Sequence, residues 1–224
     1  MKIVYSFVLL CFFFSGSYAQ DQLSLSLFGG TSQYLGDINK AHPYYKPSLS
    51  YGAGLTSTNH NRYALSVMFA HHSLSGDAAD FPDLNLPDGP ANTSFKTTLI
   101  DFTATMEFNF LPFEAYNIRK DNFTPFIFAG VGTHHILSGE ENQIPLIIPF
   151  GLGIKYNIFE RFSIGIQWTA KKTFFDRMDG VQNVIDEGND GSLIHNNDWY
   201  HHTVAFLRFH PFRQSIDCPT YEQD

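Results

Sequence analysis

Charge and cysteine are scarce in this sequence. Charged residues make up 16% of its 224 residues, against about 25% in a typical soluble domain. Acidic residues outnumber basic ones by 22 to 14 and give a net charge of −8, which argues against nucleic-acid binding through a basic surface. Only two cysteines occur, and one of them, Cys11, lies within the first 20 residues.

Long apolar runs are also missing after residue 20. A helix needs about 20 apolar residues to cross a bilayer, and the longest apolar run there, residues 144–154, is interrupted by two prolines and two glycines. Aromatic residues nevertheless make up 16% of the chain, which excludes a disordered protein. The composition therefore leaves a compact β-rich domain, or a membrane protein whose apolar residues are spread over short segments.

The first 19 residues have the parts of a secretory signal peptide. Lys2 supplies the positive start, residues 3–14 are apolar, and Ser17-Tyr18-Ala19 offers small residues at positions −3 and −1 of a cleavage site. We therefore predict that residues 1–19 are removed and that the mature chain is exported. It keeps a single cysteine, Cys218.

Apolar and polar residues alternate along most of the mature chain. In IDFTATMEFNF (100–110), apolar residues occupy the even positions and polar residues the odd ones. Five more segments alternate in the same way, and TPFIFAGVGTHH and WYHHTVAFLRF add two strands whose facing is less certain. The polar face carries Ser, Thr, Gly and Asn rather than many charges, and aromatic residues gather near strand ends on the apolar face, as they do at membrane interfaces.

This pattern predicts an all-β protein, an eight-stranded antiparallel transmembrane β-barrel over residues 20–212. An eight-stranded barrel is just wide enough for side chains to fill its lumen, and its apolar outer face would contact the lipid of a Gram-negative outer membrane. Residues 213–224 would form a periplasmic tail. Connection lengths agree, because long extracellular loops alternate with shorter periplasmic turns. The predicted loops are 30–46, 72–95, 135–145 and 172–198, and the turns are 57–61, 111–122 and 158–161.

Five charged residues lie on the inward faces of the predicted strands. They are Asp101, Glu107, Lys155, Lys171 and Arg208. Their signs are mixed, and an unpaired charge in a dry lumen is costly. We therefore expect them to pair in a network that closes the lumen, so that the barrel is a plug rather than a pore.

Histidine doublets end three of the strands on the loop side. Adjacent strand residues face opposite ways, so each doublet sends one imidazole inward, namely His72, His134 and His202. Three imidazoles at one height could bind Zn²⁺. The strands are not neighbours, however, and histidines at a rim are commonly polar interface residues. We keep the three as a metal candidate and predict no metal.

Enzymatic signals are weak. A lipid hydrolase needs a serine and a histidine paired on the lipid side, and only His71-His72-Ser73 suggests such a pair. A histidine beside a serine is common by chance. We therefore predict a non-enzymatic protein without a cofactor.

The segments 29–38, 99–110, 124–132, 148–181, 198–200 and 217–221 go beyond a generic barrel. In their succession, most specifically in IPFGLGIKYNIFERFSIGIQWTAKKTFFDRMDGV (148–181), the chain resembles the PorG-type barrels of the type IX secretion system of Bacteroidota. The resemblance implies a structural part that anchors a periplasmic ring, made of a PorK-like lipoprotein and its PorN-like companion, to the outer membrane.

In such an assembly the ring would contact the periplasmic turn 111–122 and the tail. We expect the turn to expose Phe113, Tyr116 and Arg119, which are residue types enriched at binding hot spots. The two aromatic residues can equally belong to the interface girdle.

The tail carries Cys218 and Tyr221, and we expect Cys218 to form a disulfide with the periplasmic partner; a free thiol and a homodimer disulfide are the alternatives. The alternative for the whole protein is a stand-alone barrel that binds ligands, or supports envelope integrity, through its extracellular loops.

Overall fold

Eight β-strands follow one another along the chain, and each pairs with the next in antiparallel fashion. The computed structural model describes residues 22–35, 44–80, 94–114, 121–137, 145–174 and 199–211. The strands are β1 (Gln22–Leu35), β2 (Ser48–His60), β3 (Tyr63–Asp77), β4 (Ser94–Asn109), β5 (Phe123–Ile136), β6 (Leu146–Phe159), β7 (Phe162–Thr173) and β8 (Trp199–Phe209). Because β1 also pairs with β8, the sheet closes on itself. The predicted eight-stranded antiparallel barrel is confirmed.

The period of two in the sequence decides which side chains enter the barrel. Along β4, Asp101, Thr103, Thr105 and Glu107 are buried in the lumen, whereas the apolar residues between them face outward. Outward leucines such as Leu49 remain 63% exposed. A continuous apolar outer face of this kind is unsuited to water and is what a transmembrane barrel presents to lipid. Among the described residues, no helix combines the length and the hydropathy needed to span a bilayer.

The two ends of the barrel differ. Two tight turns, Asn61-Arg62 and Glu160-Arg161, connect β2 to β3 and β6 to β7 at one end, which we call the turn end. The opposite end, the loop end, carries the connections 36–47, 78–93, 137–145 and 174–198, each longer than these two turns. There β3 and β4 stay paired as far as Asp77 and Ser94, so the strands continue into the predicted loop 72–95. Backbone pairing persists there although the apolar alternation, on which the prediction depended, has faded.

Phenylalanines fill the middle of the lumen. Phe28, Phe126, Phe128 and Phe206, which we call the aromatic layer, form the buried apolar cluster together with Ala70 and Val204. Each ring lies over a glycine of the neighbouring strand; the pairs are Phe28–Gly52, Phe126–Gly153, Phe128–Gly151 and Phe206–Gly165. A Cβ at any of these glycines would meet the ring and also a backbone carbonyl oxygen of the strand on the other side.

Candidate functional site

A cluster of polar residues crosses the lumen near the loop end. Lys171 forms an ion pair with Asp101 Oδ2, which also accepts a hydrogen bond from the Tyr200 hydroxyl at 3.0 Å. His72 Nε2 lies 2.9 Å from the same carboxylate oxygen and 3.1 Å from Lys171 Nζ. On the other side of the ring, His72 Nδ1 and the Ser50 hydroxyl are hydrogen-bonded at 2.9 Å. This loop-end cluster joins strands β2, β3, β4, β7 and β8.

A second cluster of charges lies near the turn end. Lys155 pairs with Glu107 Oε1, and Arg208 approaches Glu107 Oε2 at 3.4 Å. Arg208 Nε also donates to the Ser26 hydroxyl at 3.3 Å. We call Glu107, Lys155 and Arg208 the turn-end cluster. Together the two clusters contain the five inward charges that the sequence indicated, and each charge has a partner of opposite sign.

The aromatic layer separates the two clusters. Asp101 and Glu107 lie six residues apart on β4, a separation of about 20 Å at about 3.3 Å per residue. Arg208 packs over the ring of Phe206, and Lys155 Nζ lies 5.1 Å from the ring centroid of Phe126. A hydrated ion would have to enter this apolar layer without a partner, at a high desolvation cost. The described lumen is therefore closed.

Residues 111–114 close the turn end from below, and we call this segment the turn-end cap. Phe113 is 5% exposed, its ring centroid lies 4.7 Å from Lys155 Nζ, and its amide donates to the Asn61 carbonyl at 3.0 Å. The expectation that Phe113 is exposed for partner binding is thus wrong. The ring gains burial and a cation–π contact beneath Lys155, which an exposed position lacks.

Glu114 anchors the end of the cap. Its side chain accepts from Asn61 Nδ2 at 2.9 Å, its carbonyl accepts from Asn157 Nδ2 at 2.7 Å, and its amide donates to the Asp121 carbonyl at 3.1 Å. The chain therefore leaves the barrel at a fixed point. The other predicted partner-binding residues lie outside the described residues; they are Tyr116, Arg119, Cys218 and Tyr221.

The three inward histidines do not form the metal site that the sequence left open. The rings of His72 and His202 stack at 4.9 Å, and His134 is buried on β5. Both nitrogens of His72 are already engaged, by Ser50 and by Asp101. Within the described ranges, no group of three His, Cys, Asp or Glu side chains is placed to hold a metal ion. The contacts of His72 within the lumen therefore use the ring nitrogens that a metal ion would need as ligands.

Ser50, His72 and Asp101 follow one another in the order of a hydrolase triad. Each is at most 1% exposed, and the cavity beside the carboxylate has a volume of about 10 Å³, far too small for an ester or a lipid. Lys171 also holds Asp101. A nucleophile needs a path to its substrate, so this arrangement acts as a structural brace.

On the outer face, His71 and Ser73 share one side of β3. The His71 ring stacks on Tyr51 at 4.8 Å, and its Nδ1 is buried without a hydrogen-bond partner. In a catalytic triad, an acidic residue orients the histidine through a hydrogen bond to Nδ1. The described residues therefore give this pair no acid on Nδ1.

The loop end carries a small ion cluster outside the strands. Lys46 Nζ lies 3.2 Å from Asp77 and 2.9 Å from Asp80, and the Tyr45 hydroxyl donates to Asp80 at 2.5 Å. Hydrogen bonds from Tyr45 and Lys46 lower the pKa of Asp80. The hydrogen bond to Asp80 raises the pKa of Lys46 above its usual range. This rim cluster ties the first long connection to the end of β3.

Sequence reasoning missed the aromatic layer, and it missed Tyr200 as a partner of Asp101. The facing of β5 and β8 was uncertain, and both strands send phenylalanines inward. A signal was present, because Gly151 and Gly153 on β6 occupy alternate positions and therefore leave room on one face for rings from a neighbouring strand.

A family model described as a domain of unknown function, DUF6089, matches residues 2–219. No curated protein matches the sequence. Among solved structures, Neisserial surface protein A (NspA) is similar with a TM-score of 0.54 and 10% identity over 84% of this chain and 97% of NspA. The N-terminal barrel domain of Pseudomonas aeruginosa OprF gives a TM-score of 0.45 at 11% identity, over 85% of this chain and all of that domain. Yersinia pestis Ail gives a TM-score of 0.43 at 13% identity, over 84% of this chain and 99% of the Ail chain. The likeness to NspA supports the barrel fold.

Proposed function

The chain belongs to the DUF6089 family, and we propose that it is a PorG-type outer-membrane barrel without enzymatic activity. In this role it anchors a periplasmic ring, built from a PorK-like lipoprotein and its PorN-like companion, to the outer membrane. The turn end faces the periplasm and the loop end faces outward. The barrel reaches this membrane through the signal peptide of residues 1–19.

The observation that carries the proposal is the closed lumen. Two ion-pair clusters separated by an aromatic layer leave no path for a solute through the lumen that the described residues form, so we place the function of the protein at its two ends. An anchor is a function that a plugged barrel can perform, because it requires membrane insertion and a binding surface but no conduction.

The turn-end cap adds support for the periplasmic side. Glu114 is fixed by Asn61, Asn157 and Asp121, so the turn that carries Tyr116 and Arg119 starts and ends at pinned positions. A segment whose ends are ordered before binding loses less conformational entropy in a complex. This suits a docking element that must hold a large ring.

The experiment is affinity purification of the tagged full-length protein from native outer membranes in mild detergent. We expect the ring lipoprotein and its companion to copurify in stoichiometric amounts. Deletion of 213–224, or the double substitution Tyr116→Ala/Arg119→Ala, should abolish their recovery, whereas trimming the connection 81–93 should leave it intact. Recovery of a folded barrel alone from wild-type membranes would contradict the proposal.

Cys218 offers a separate test of the same contact. A lone thiol in an oxidising compartment favours an intermolecular disulfide, and we expect one between Cys218 and a ring protein. Non-reducing gels of native envelopes should show a higher band that Cys218→Ala removes. No such band indicates a free thiol, and a band at twice the mass of the barrel indicates a homodimer.

A stand-alone barrel that binds ligands outside the cell is the second candidate. The rim cluster favours it, because Lys46, Asp77 and Asp80 order the loop end and an ordered rim is a suitable platform for binding. This candidate predicts the reverse pattern. Loss of the connection 81–93 or 175–198 would abolish function, and deletion of the tail would be tolerated.

A further inference from the structure

A small cavity lies in the lumen between the loop-end cluster and the aromatic layer. Its volume is about 10 Å³, which is close to the smallest space that holds one water molecule. Phe28 and Phe128 are among its apolar lining residues. Its polar lining residues are Asp101, Thr103, Thr105, Thr169, Lys171 and His202.

Three residues of this lining each have a buried polar atom without a hydrogen-bond partner among the described residues. The atoms are Asp101 Oδ1, Thr169 Oγ1 and His202 Nδ1. The three residues are 1%, 2% and 4% exposed, so bulk water does not reach them. Buried polar atoms in folded proteins are nearly always hydrogen-bonded, to protein or to ordered water. Three such residues around one cavity therefore indicate a site for a small molecule that forms hydrogen bonds.

The charges around the cavity determine what kind of ligand fits. Asp101 and Lys171 neutralise each other, so the site has no net charge to attract an ion. A cation would be repelled by the Lys171 ammonium group, and an anion by the Asp101 carboxylate. A neutral molecule of one heavy atom that both donates and accepts hydrogen bonds suits the site.

We infer that this cavity binds one ordered water molecule. The water donates to Asp101 Oδ1 and to His202 Nδ1 and accepts from the Thr169 hydroxyl. These three hydrogen bonds are the usual number for a buried water. Both oxygens of Asp101 are then hydrogen-bonded, and the loop-end cluster extends to Thr169 and His202. This site is independent of any role of the barrel in secretion.

A crystal structure of the full-length mature barrel, at a resolution that displays other buried waters, tests the inference. We expect one peak within about 2.7–3.2 Å of Asp101 Oδ1 and Thr169 Oγ1. Thr169→Val keeps the shape of the side chain but removes one partner, so the peak should weaken or vanish. Thr103→Val is the matched control, because Thr103 lines the same cavity but its hydroxyl is not among the unpartnered atoms.

An empty cavity in the wild-type protein would overturn the inference, and so would an anomalous signal from an ion at that position. A peak that is unchanged in Thr169→Val would overturn the assigned partners. If Thr169→Val does not fold, the wild-type map decides alone. Water-to-protein cross-relaxation at the His202 ring, measured by NMR in micelles, gives a second readout, and its absence would contradict a bound water.

Discussion

Lys171 on β7 reaches across the lumen to Asp101 on β4, three strands away around the barrel wall, and both side chains are at most 3% exposed. The pair therefore ties opposite walls of the barrel through its interior. A buried ion pair is favourable only when its remaining hydrogen-bonding groups are satisfied. The Tyr200 hydroxyl donates a hydrogen bond to the carboxylate, and His72 Nε2 lies within 3.1 Å of both charged groups.

Removal of one partner should cost more than removal of both. Lys171→Met leaves the Asp101 carboxylate buried without its ammonium partner, and we expect the free energy of unfolding to fall by about 3 kcal/mol. Lys171→Met/Asp101→Asn should recover a large part of this loss, because no buried charge is left. Urea unfolding in micelles, followed by tryptophan fluorescence, measures both. The single variant Asp101→Asn completes the cycle. If the losses of stability of the two single variants add up to that of the double variant within about 0.5 kcal/mol, a direct pair is contradicted.

Glycine beneath an aromatic ring should be intolerant of substitution. A Cβ on Gly165 would lie 2.3 Å from Cζ of Phe206 and 2.3 Å from the Ile154 carbonyl oxygen, so Gly165→Ala must displace the ring and shift the backbone of β6, and it should destabilise the barrel by about 1–3 kcal/mol. Gly29→Ala is the matched control, since nothing lies within 4 Å of a Cβ placed there. The same unfolding assay compares the two, and an equal effect of both would argue against the aromatic layer as described.

The turn-end cap should open when its buried ring is removed. Phe113→Ala takes away the side chain that packs beneath Lys155, so we expect faster proteolysis within residues 111–122 while β-sheet circular dichroism is unchanged. Phe110→Ala, at an outward residue that is 48% exposed, is the control and should leave cleavage at the wild-type rate. Equal cleavage of the two variants would mean that Phe113 does not hold the cap.

The rim cluster should persist at neutral pH and dissolve in acid. Hydrogen bonds from Tyr45 and Lys46 lower the pKa of Asp80. The contribution of Asp80 is therefore fully present above its ordinary pKa of 3.8, and it is lost as the pH falls through the lowered value. NMR shifts of the Lys46 side chain report the contact. They should change only below about pH 4, and Asp80→Asn should abolish that transition. A transition near neutral pH would contradict this assignment.

Period-two alternation indicated the eight strands, and for six of them it also indicated which residues face inward. Side-chain direction alternates along a strand, so the parity of a residue such as Asp101 or Lys155 follows from its own segment. The pairing of charges was beyond that reasoning. Whether Lys171 meets Asp101 or Glu107 depends on the stagger of strands that are far apart in sequence.

The turn-end cap also depends on a long-range contact that the local sequence does not reveal. Phe113 lies in a turn whose local sequence suggests an exposed hot spot, yet the ring folds back beneath Lys155 of β6. The burial of Phe113 depends on a charged residue that lies 42 positions further along the chain. Local sequence propensity carries no information about such a contact. Tight turns such as Glu160-Arg161 involve only neighbouring residues and were predicted to within a few positions.

Site-specific photo-crosslinking in intact cells tests the anchoring role most directly. A photoreactive amino acid is placed at Arg62 or Glu160, which are exposed at the turn end, and in separate strains at Tyr44 or Asp80, which are exposed at the loop end. The account predicts crosslinks to a periplasmic ring lipoprotein or its companion from the turn-end positions and none from the loop-end positions. Crosslinks from the loop end to other molecules, with the turn end silent, would contradict it.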